Sequence, residues 1–248
     1  MDYPLVSCLC VTEARVVFLE KAIHYFLHQS YPNKELIVTY PEGDTSTAEF
    51  LRNLNHPLVF ALTFPDSETL TLGKKRNLAI HKSKGKYFCV WDDDDWHHPD
   101  RLIRQIEALE NSDARSCVLS RTLLYDVAEH KGYLSGKRQA WEATLVCEKS
   151  VIGGSLEYAD LQKGEDSVFV AALLKQKLVV AIDKPELYIY THHGNNTWGR
   201  QHWEKNIIGW GKLLPDTLSS SIEDVVKDNI IYSASGLLIS NLVVGLKD

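Results

Sequence analysis

The run KYFCVWDDDDWHHPDRL, residues 86–102, sets the frame for the whole chain. Its first half is a short continuous apolar stretch, the pattern of a strand buried on both faces. Four consecutive carboxylates, Asp92 to Asp95, follow at once, and then Trp96, His97, His98 and Pro99. Neighbouring carboxylates repel, so a positive group has to answer them. Alternate residues of an extended chain point the same way, which lets Asp92 and Asp94 converge while Asp93 and Asp95 face elsewhere. A hard divalent cation, Mn²⁺ or Mg²⁺, takes oxygen ligands and needs only one or two carboxylates when a diphosphate supplies others. A solvated turn capping the next helix would explain Asp100 and Asp95 as helix-start acids. It would not explain four acids directly after a buried strand.

Working outward, PLVSCLCV (4–11) reads as another buried strand, and Val17, Phe18, Ala22, Ile23, Phe26 and Leu27 recur at helical spacing. YPNK ends that helix, ELIVTY (35–40) and PLVFALTF (57–64) are further strands, and a helix over 74–82 leads into residue 86. This alternation predicts a doubly wound, mostly parallel sheet, in which ligands bind beyond the carboxyl ends of the strands. The acid run stands at such an end. Beyond it the pattern predicts a helix over 101–110, strands in SCVLSRTLLYDV (116–127) and QAWEATLVCE (139–148), a helix over 166–177 and a strand in LVVAID (178–183). The last segment begins amphipathically, with Ile222, Val225, Val226 and Ile230, and ends in GLLISNLVVG (236–245). That is shorter than the roughly 20 apolar residues of a membrane span, and reads as a packing helix. It leaves contact with lipid or with a second subunit open.

The 248 residues suit one large α/β domain or two small ones. A net charge of −6 argues against a nucleic-acid binder with an overall basic surface. The five cysteines (Cys8, Cys10, Cys89, Cys117, Cys147) match neither a zinc site nor a disulfide framework and read as buried thiols, with Cys8 and Cys10 on one face of their strand. The first residues are strand-like without a basic leader, so a cytoplasmic location is expected.

Five segments in order, VSCLCVTEAR, FLHQSYPNKELIV, GKKRNLAIHKSKGKYFCVWDDDDW, GEDSVF and YIYTHHGNNTW, resemble the landmarks of family 2 glycosyltransferases of the GT-A type over about residues 4–198. The resemblance implies a GT-A (Rossmann-like), mostly parallel central sheet flanked by helices, with a small C-terminal helical segment. It implies a transferase domain over 1–215, with a nucleotide-binding part to about 100 and an acceptor-binding part beyond, and a helical extension over 216–248. Asp92 and Asp94 then supply the DxD motif that holds metal and sugar-nucleotide, and Arg76 and Asn77 stand near the nucleotide-sugar. Asp166 matches the catalytic base, at a helix start where acids are favoured; a positioned carboxylate can take the proton of an acceptor hydroxyl as the new bond forms. His193, or His192 in its place, reaches the diphosphate or the metal. Thr12, Glu13, Arg15 and Asp93 are expected at the donor, and Trp141, Glu142 and Glu165 at the acceptor. The implied reaction is metal-dependent and inverting, from a nucleotide-diphosphate sugar (UDP favoured) to a glycan or lipid-linked glycan of a surface polysaccharide or lipopolysaccharide, at the cytosolic face of a membrane. Peripheral membrane contact and a homodimer fit this expectation.

The chain departs from that pattern in two places. VTYPEGDTST (38–47) carries Tyr40 and Pro41 where relatives have acids that contact the base, leaving Glu42 or Asp44 for that role, and TEAR replaces the usual turn after the first strand. A sugar-nucleotidyltransferase would need a glycine-rich loop after the first strand, which CVTEARVVF lacks. A phosphatase with an aspartate nucleophile would leave Glu165, Asp166 and the histidine segment without roles. A catalytically inactive, carbohydrate-binding relative is the non-enzymatic alternative.

Overall fold

The computed structural model describes residues 3–138, 140–154, 156–228 and 232–244. The first hundred residues form β1 (Val6–Val11), α1 (Val16–Leu27), β2 (Lys34–Pro41), α2 (Thr45–Leu54), β3 (Val59–Phe64), α3 (Leu72–Lys82), β4 (Tyr87–Val90) and a two-residue strand β5 (Trp96–His97). There follow α4 (Arg101–Glu110), β6 (Ser116–Leu119), β7 (Leu123–Asp126), β8 (Lys131–Leu134), β9 (Trp141–Glu148), α5 (Glu165–Lys175), β10 (Val179–Ile182) and β11 (Tyr188–His192). The chain closes with a short turn α6 (Arg200–His202), β12 (Lys212–Leu213), α7 (Asp216–Val226) and α8 (Tyr232–Val244).

Seven strands make the central sheet, in the order β10-β6-β9-β4-β1-β2-β3. The β1, β2, β3 and β4 contacts are parallel, as the alternation predicts, and β9 enters antiparallel between β4 and β6. Alternation along β1 gives each face its own core. Val6, Cys8 and Cys10 pack with Leu19, Ile23 and Phe26 of α1 on one side, and Leu9 packs with Ala79 and Ile80 of α3 on the other. Each Val, Leu, Ile or Phe among them, fully buried, contributes about 1.5–3 kcal/mol.

One expectation needs correction, and one that was left open is decided. Residues 116–127 are not one strand: β6 belongs to the central sheet, whereas β7 joins β12, β8, β11 and β5 in a second, five-stranded sheet. The break at Ser120–Thr122 contains no glycine or proline, so the sequence gives no sign of it; it is closed by tertiary hydrogen bonds, Thr122 N to Ser135 Oγ and Ser120 N to Ile182 O. The C-terminal apolar segment packs on the domain itself, burying Tyr232, Ile239 and Val243, with Tyr232 stacked on Tyr25 of α1. Ile230 and Gly245 lie outside the described residues. Among the described residues no helix is long and apolar enough to cross a membrane.

Candidate active site

The acid run leaves the end of β4 through a rigid hinge. Trp91 is fully buried, donates its indole N–H to Ala22 O at 3.0 Å, and stacks on His97 at 3.8 Å. Between these two rings the four carboxylates fan out, and each meets a different partner. Asp92 faces Arg76 Nη2 at 3.3 Å. Asp93 accepts from Thr12 Oγ1 at 2.7 Å and pairs with Arg15 Nη1 at 3.1 Å. Asp94 Oδ2 takes Arg15 Nη2 at 2.7 Å and lies 3.0 Å from His193 Nε2. Asp95 accepts from the Tyr188 hydroxyl and from Thr191 N. In part, then, the charge that answers the acids comes from the chain's own arginines.

The partners sort the acids by role. The Asp93 and Asp95 side chains are buried, whereas Asp92 keeps 31% of its side-chain surface and Asp94 14%. Burial and the adjacent Asp94 push Asp93 up to about 7, and burial holds Asp95 well above the carboxylate range. Burial would raise Asp94 too, but the His193 hydrogen bond and the Arg15 charge outweigh it and keep it low. Asp92 Oδ2 and Asp94 Oδ1 take no hydrogen bond among the described residues, and both acids line one cleft of about 160 Å³.

The opposite wall of the cleft is the start of α5. Gly164 caps it with φ +78°, a left-handed conformation that suits glycine, and Glu165 and Asp166 fill the first turn. Arg76 ties this wall to the acid run. Its guanidinium is buried, holds Glu165 Oε1 at 2.6 Å and Asp92 Oδ1 at 3.3 Å, and lies 5.4 Å over the Tyr158 ring. Burial pushes Glu165 up to about 7 against the pull of Arg76. Asp166 is half-buried and lines the cleft beside Asp92, Asp94, Tyr190 and Trp198.

The third wall is the end of β11, where the two histidines part. His193 turns to Asp94 and packs 4.8 Å from the Phe18 ring, in a loop fixed by Gly194 (φ +88°) and by Asn196, which accepts from His193 N and donates to Thr191 O. His192 instead stacks on buried Trp203 at 4.8 Å. His97 is enclosed by Trp91 and Arg101, and His98 bonds Gly236 O of α8, so neither lines the cleft.

Beyond Arg15 a second cavity of about 410 Å³ opens past the carboxyl ends of β1, β2 and β3, lined by Glu13, Asp44, Phe64, Asp66 and Lys75 among others. Several expected contacts land elsewhere. Glu42 is exposed and does not line the cavity, whereas Asp44 does, because Asp44 caps α2 through Thr47 N and also accepts from Ala14 N. Asn77 uses its side-chain amide on the backbone of Tyr158, donating to its carbonyl and accepting from its N–H. Thr12 and Asp93 are buried and spent on each other, which fits orientation of the acid run better than direct contact. Trp141 is buried with its ring 4.2 Å under Arg138, so no open face remains for a sugar, while Glu142 reaches Ser167 beside Asp166. The sequence pattern did not single out Asp66, Tyr190, Lys163 or Trp198; Tyr190 and Trp198 fall within the landmark segment YIYTHHGNNTW, and FPDSE after the third strand was the signal for Asp66.

Among the described residues no three His, Cys, Asp or Glu side chains form a ready-made cage for a metal ion. The donor set still fits a hard divalent cation of the kind that takes one or two carboxylates and completes its shell from phosphate and water. The two open carboxylate oxygens of Asp92 and Asp94 on one cleft are the observation behind that fit.

The profile of glycosyl transferase family 2 matches residues 11–150. Among curated proteins, the chain is 27% identical over 119 residues to the putative teichuronic acid biosynthesis glycosyltransferase TuaG of Bacillus subtilis, covering 48% of this chain and 46% of that protein. It is 26% identical over 114 residues to the uncharacterized glycosyltransferase MJ1057 of Methanocaldococcus jannaschii, covering 45% and 39%. The matches thus span less than half the length of either relative. Among solved structures it superimposes on S. aureus TarS 1–349 in complex with UDP-GlcNAc at a TM-score of 0.62 and 12% identity, covering 77% and 59% of the two chains. It superimposes on the mannosyltransferase PcManGT of Pyrobaculum calidifontis, in complex with GDP-Man and Mn²⁺, at 0.61 and 14%, covering 82% and 61%. These likenesses establish the fold as GT-A.

Proposed function

Because the chain belongs to glycosyl transferase family 2, we propose that it moves a sugar from a nucleoside-diphosphate donor to a hydroxyl of a glycan or lipid-linked glycan, with inversion at the anomeric carbon. The observation that carries this reading is a cleft whose one wall offers the open oxygens of Asp92 and Asp94 and whose other wall offers Asp166 at a helix start. In this reading the diphosphate lies along the acid run, and the nucleoside extends into the cavity at Asp44, Asp66 and Lys75. Asp92 and Asp94 would hold Mn²⁺ or Mg²⁺, with His193 beside Asp94. When bound, that cation neutralises charge growing on the departing diphosphate. Arg15 supplies a fixed positive charge on the same side. Asp166 takes the proton of the acceptor hydroxyl as it attacks, and Glu165, held by Arg76, fixes the first turn that carries Asp166. Glu142 and Tyr190 border the acceptor side. The names of the relatives support a surface-polymer acceptor and either a uridine or a guanosine donor; a UDP-sugar is the donor we favour.

Calorimetric titration with UDP, GDP, dTDP and CMP, with and without Mn²⁺, tests the reading. One nucleoside diphosphate should bind only with metal present, and Asp94→Ala should abolish that binding. Asp166→Asn should keep it and lower turnover by about 10²–10⁴. A folded protein that binds none of the four with metal present would overturn the transferase reading and leave the inactive, carbohydrate-binding relative.

A further inference from the structure

Residues 198–213 form a surface that the reaction does not explain. The segment is built, not frayed. Trp203 is buried, donates its indole N–H to Asp126 Oδ2 at 2.8 Å, and stacks on His192 and Tyr190. Arg138 donates to Asn206 O, and β12 pairs antiparallel with β8. The backbone of Trp210 presses on Gly136, where a Cβ would come within 2.6 Å of the Trp210 carbonyl oxygen. On this fixed frame the Trp210 side chain stands 79% exposed, more than any other large hydrophobic residue described, with Leu213 at 53% and Trp198 at 39% nearby in the chain. Tryptophan is seldom left in water to this extent.

The charge around it is mainly positive, although Arg200 is paired with Asp126, Glu129 and Glu204. Segments 136–138 and 198–213 hold five basic residues (Lys137, Arg138, Arg200, Lys205, Lys212) against the single acid Glu204, in a chain whose net charge is −6. Lys137, Lys163, Lys205 and Lys212 are exposed and have no ion-pair partner among the described residues. Lys163 lies 5.4 Å over the Trp198 ring, and both residues line the catalytic cleft, so the patch runs to its mouth. Exposed indole beside unpaired lysines matches the headgroup layer of an anionic bilayer, where tryptophan prefers to sit and each lysine gains from the negative surface. A second copy meeting this face through a two-fold axis would set lysines against lysines. Lysine is also depleted in the cores of protein interfaces.

We propose that Trp210, Leu213 and the lysines at 137, 163, 205 and 212 dock this chain on an anionic membrane surface with the mouth of the cleft turned toward the lipid. The membrane contact is thereby moved from the C-terminal helix, whose Tyr232, Ile239 and Val243 face inward and where Leu237 is exposed, to the segment between β11 and α7. It holds for any donor sugar and goes beyond the transfer reaction.

The test is co-sedimentation with vesicles of phosphatidylcholine alone and of phosphatidylcholine mixed with phosphatidylglycerol, on the whole chain. The protein should pellet with the anionic vesicles only and release as salt rises. Lys205→Ser with Lys212→Ser should weaken partitioning about 25-fold, since each lysine near an anionic leaflet is worth about a factor of five. Trp210→Ser should weaken it as well and remove the tryptophan emission that brominated lipid quenches. None of these three side chains lines the cleft, so nucleotide binding on the same samples should not change. Equal pelleting with neutral and anionic vesicles, no pelleting at all, or a Trp210→Ser variant that changes only self-association would each overturn the proposal. An unsubstituted chain that binds nucleotide but no anionic vesicles defeats the docking surface alone, and one that binds anionic vesicles but no nucleotide defeats the transferase reading alone.

Discussion

Removing the Arg76 guanidinium should destabilise this protein more than any surface substitution, and the structure says by how much. Arg76→Met keeps the length and the apolar stem over Tyr158 but deletes the cation between Glu165 and Asp92. The Glu165 side chain, only 2% exposed, then loses its 2.6 Å partner. Above neutrality, where Glu165 is ionised, breaking this buried pair by removing one member costs about 3–5 kcal/mol, because the remaining charge stays buried without compensation. For a chain of this size that is a fall in Tm of about 10 °C. The pH dependence has a definite sign. Glu165 already has a folded pKa raised from 4.5 to about 7, so its contribution favours folding below 4.5 and is lost as pH rises toward 7. Without Arg76, which pulls that value down, the deficit is smallest in acid and largest above neutrality. Urea unfolding followed by tryptophan fluorescence, in acid and above neutrality, measures both quantities, the larger loss being the one above neutrality. Arg76→Met with Glu165→Leu should recover most of the loss, since an apolar pair carries no buried charge. A single-variant loss under about 1 kcal/mol, the level of an exposed ion pair, would refute the reasoning. So would a double variant no more stable than the single one.

Other substitutions probe the frame around the cleft. Arg15→Gln should let Mn²⁺ alone bind at least about tenfold tighter, since a cation that competes for Asp94 Oδ2 is gone, while the nucleoside diphosphate binds more weakly; calorimetry with each ligand separates the two. Asp44→Ala removes the cap of α2 and the bond to Ala14 N, and should cost about 1–2 kcal/mol in urea unfolding. Burial alone would raise Asp44, but its hydrogen bonds hold it at about 2, so that contribution is complete above the ordinary 3.8 and lost as pH falls through 2. Gly73→Ala drives a methyl into the Ala159 carbonyl oxygen and should cost about 1–3 kcal/mol, lowering Tm and loosening the α3 support of Arg76.

Local pattern was enough wherever a property lives on neighbouring residues. The alternation of β1, α1, β2, β3, α3 and β4 was readable because each of these elements must bury its own apolar face, and that requirement is written at spacings of two and three to four residues; α2, which buries only Thr47 and Leu51, left too faint an apolar period to be read. The acids at the end of β4 and the start of α5 were legible for the same reason, as charges placed at element ends. What the sequence could not state was which side chains meet. That Asp93 is spent on Thr12 and Arg15, that His193 turns to Asp94 while His192 stacks on Trp203, and that Trp141 lies under Arg138 all depend on contacts between residues far apart in the chain. Two adjacent histidines look alike until β11 assigns them opposite faces. The second sheet was hidden likewise, since β7 leaves the line of β6 at three residues without glycine or proline, and hydrogen bonds to the distant Ser135, Arg138, Ile182 and Asp183 hold that turn. Sequence alone placed the chemistry at the strand ends, because charge and hydrophobic period are local. The tertiary structure decided which carboxylates stay open and which are consumed, because burial and pairing belong to the assembled fold.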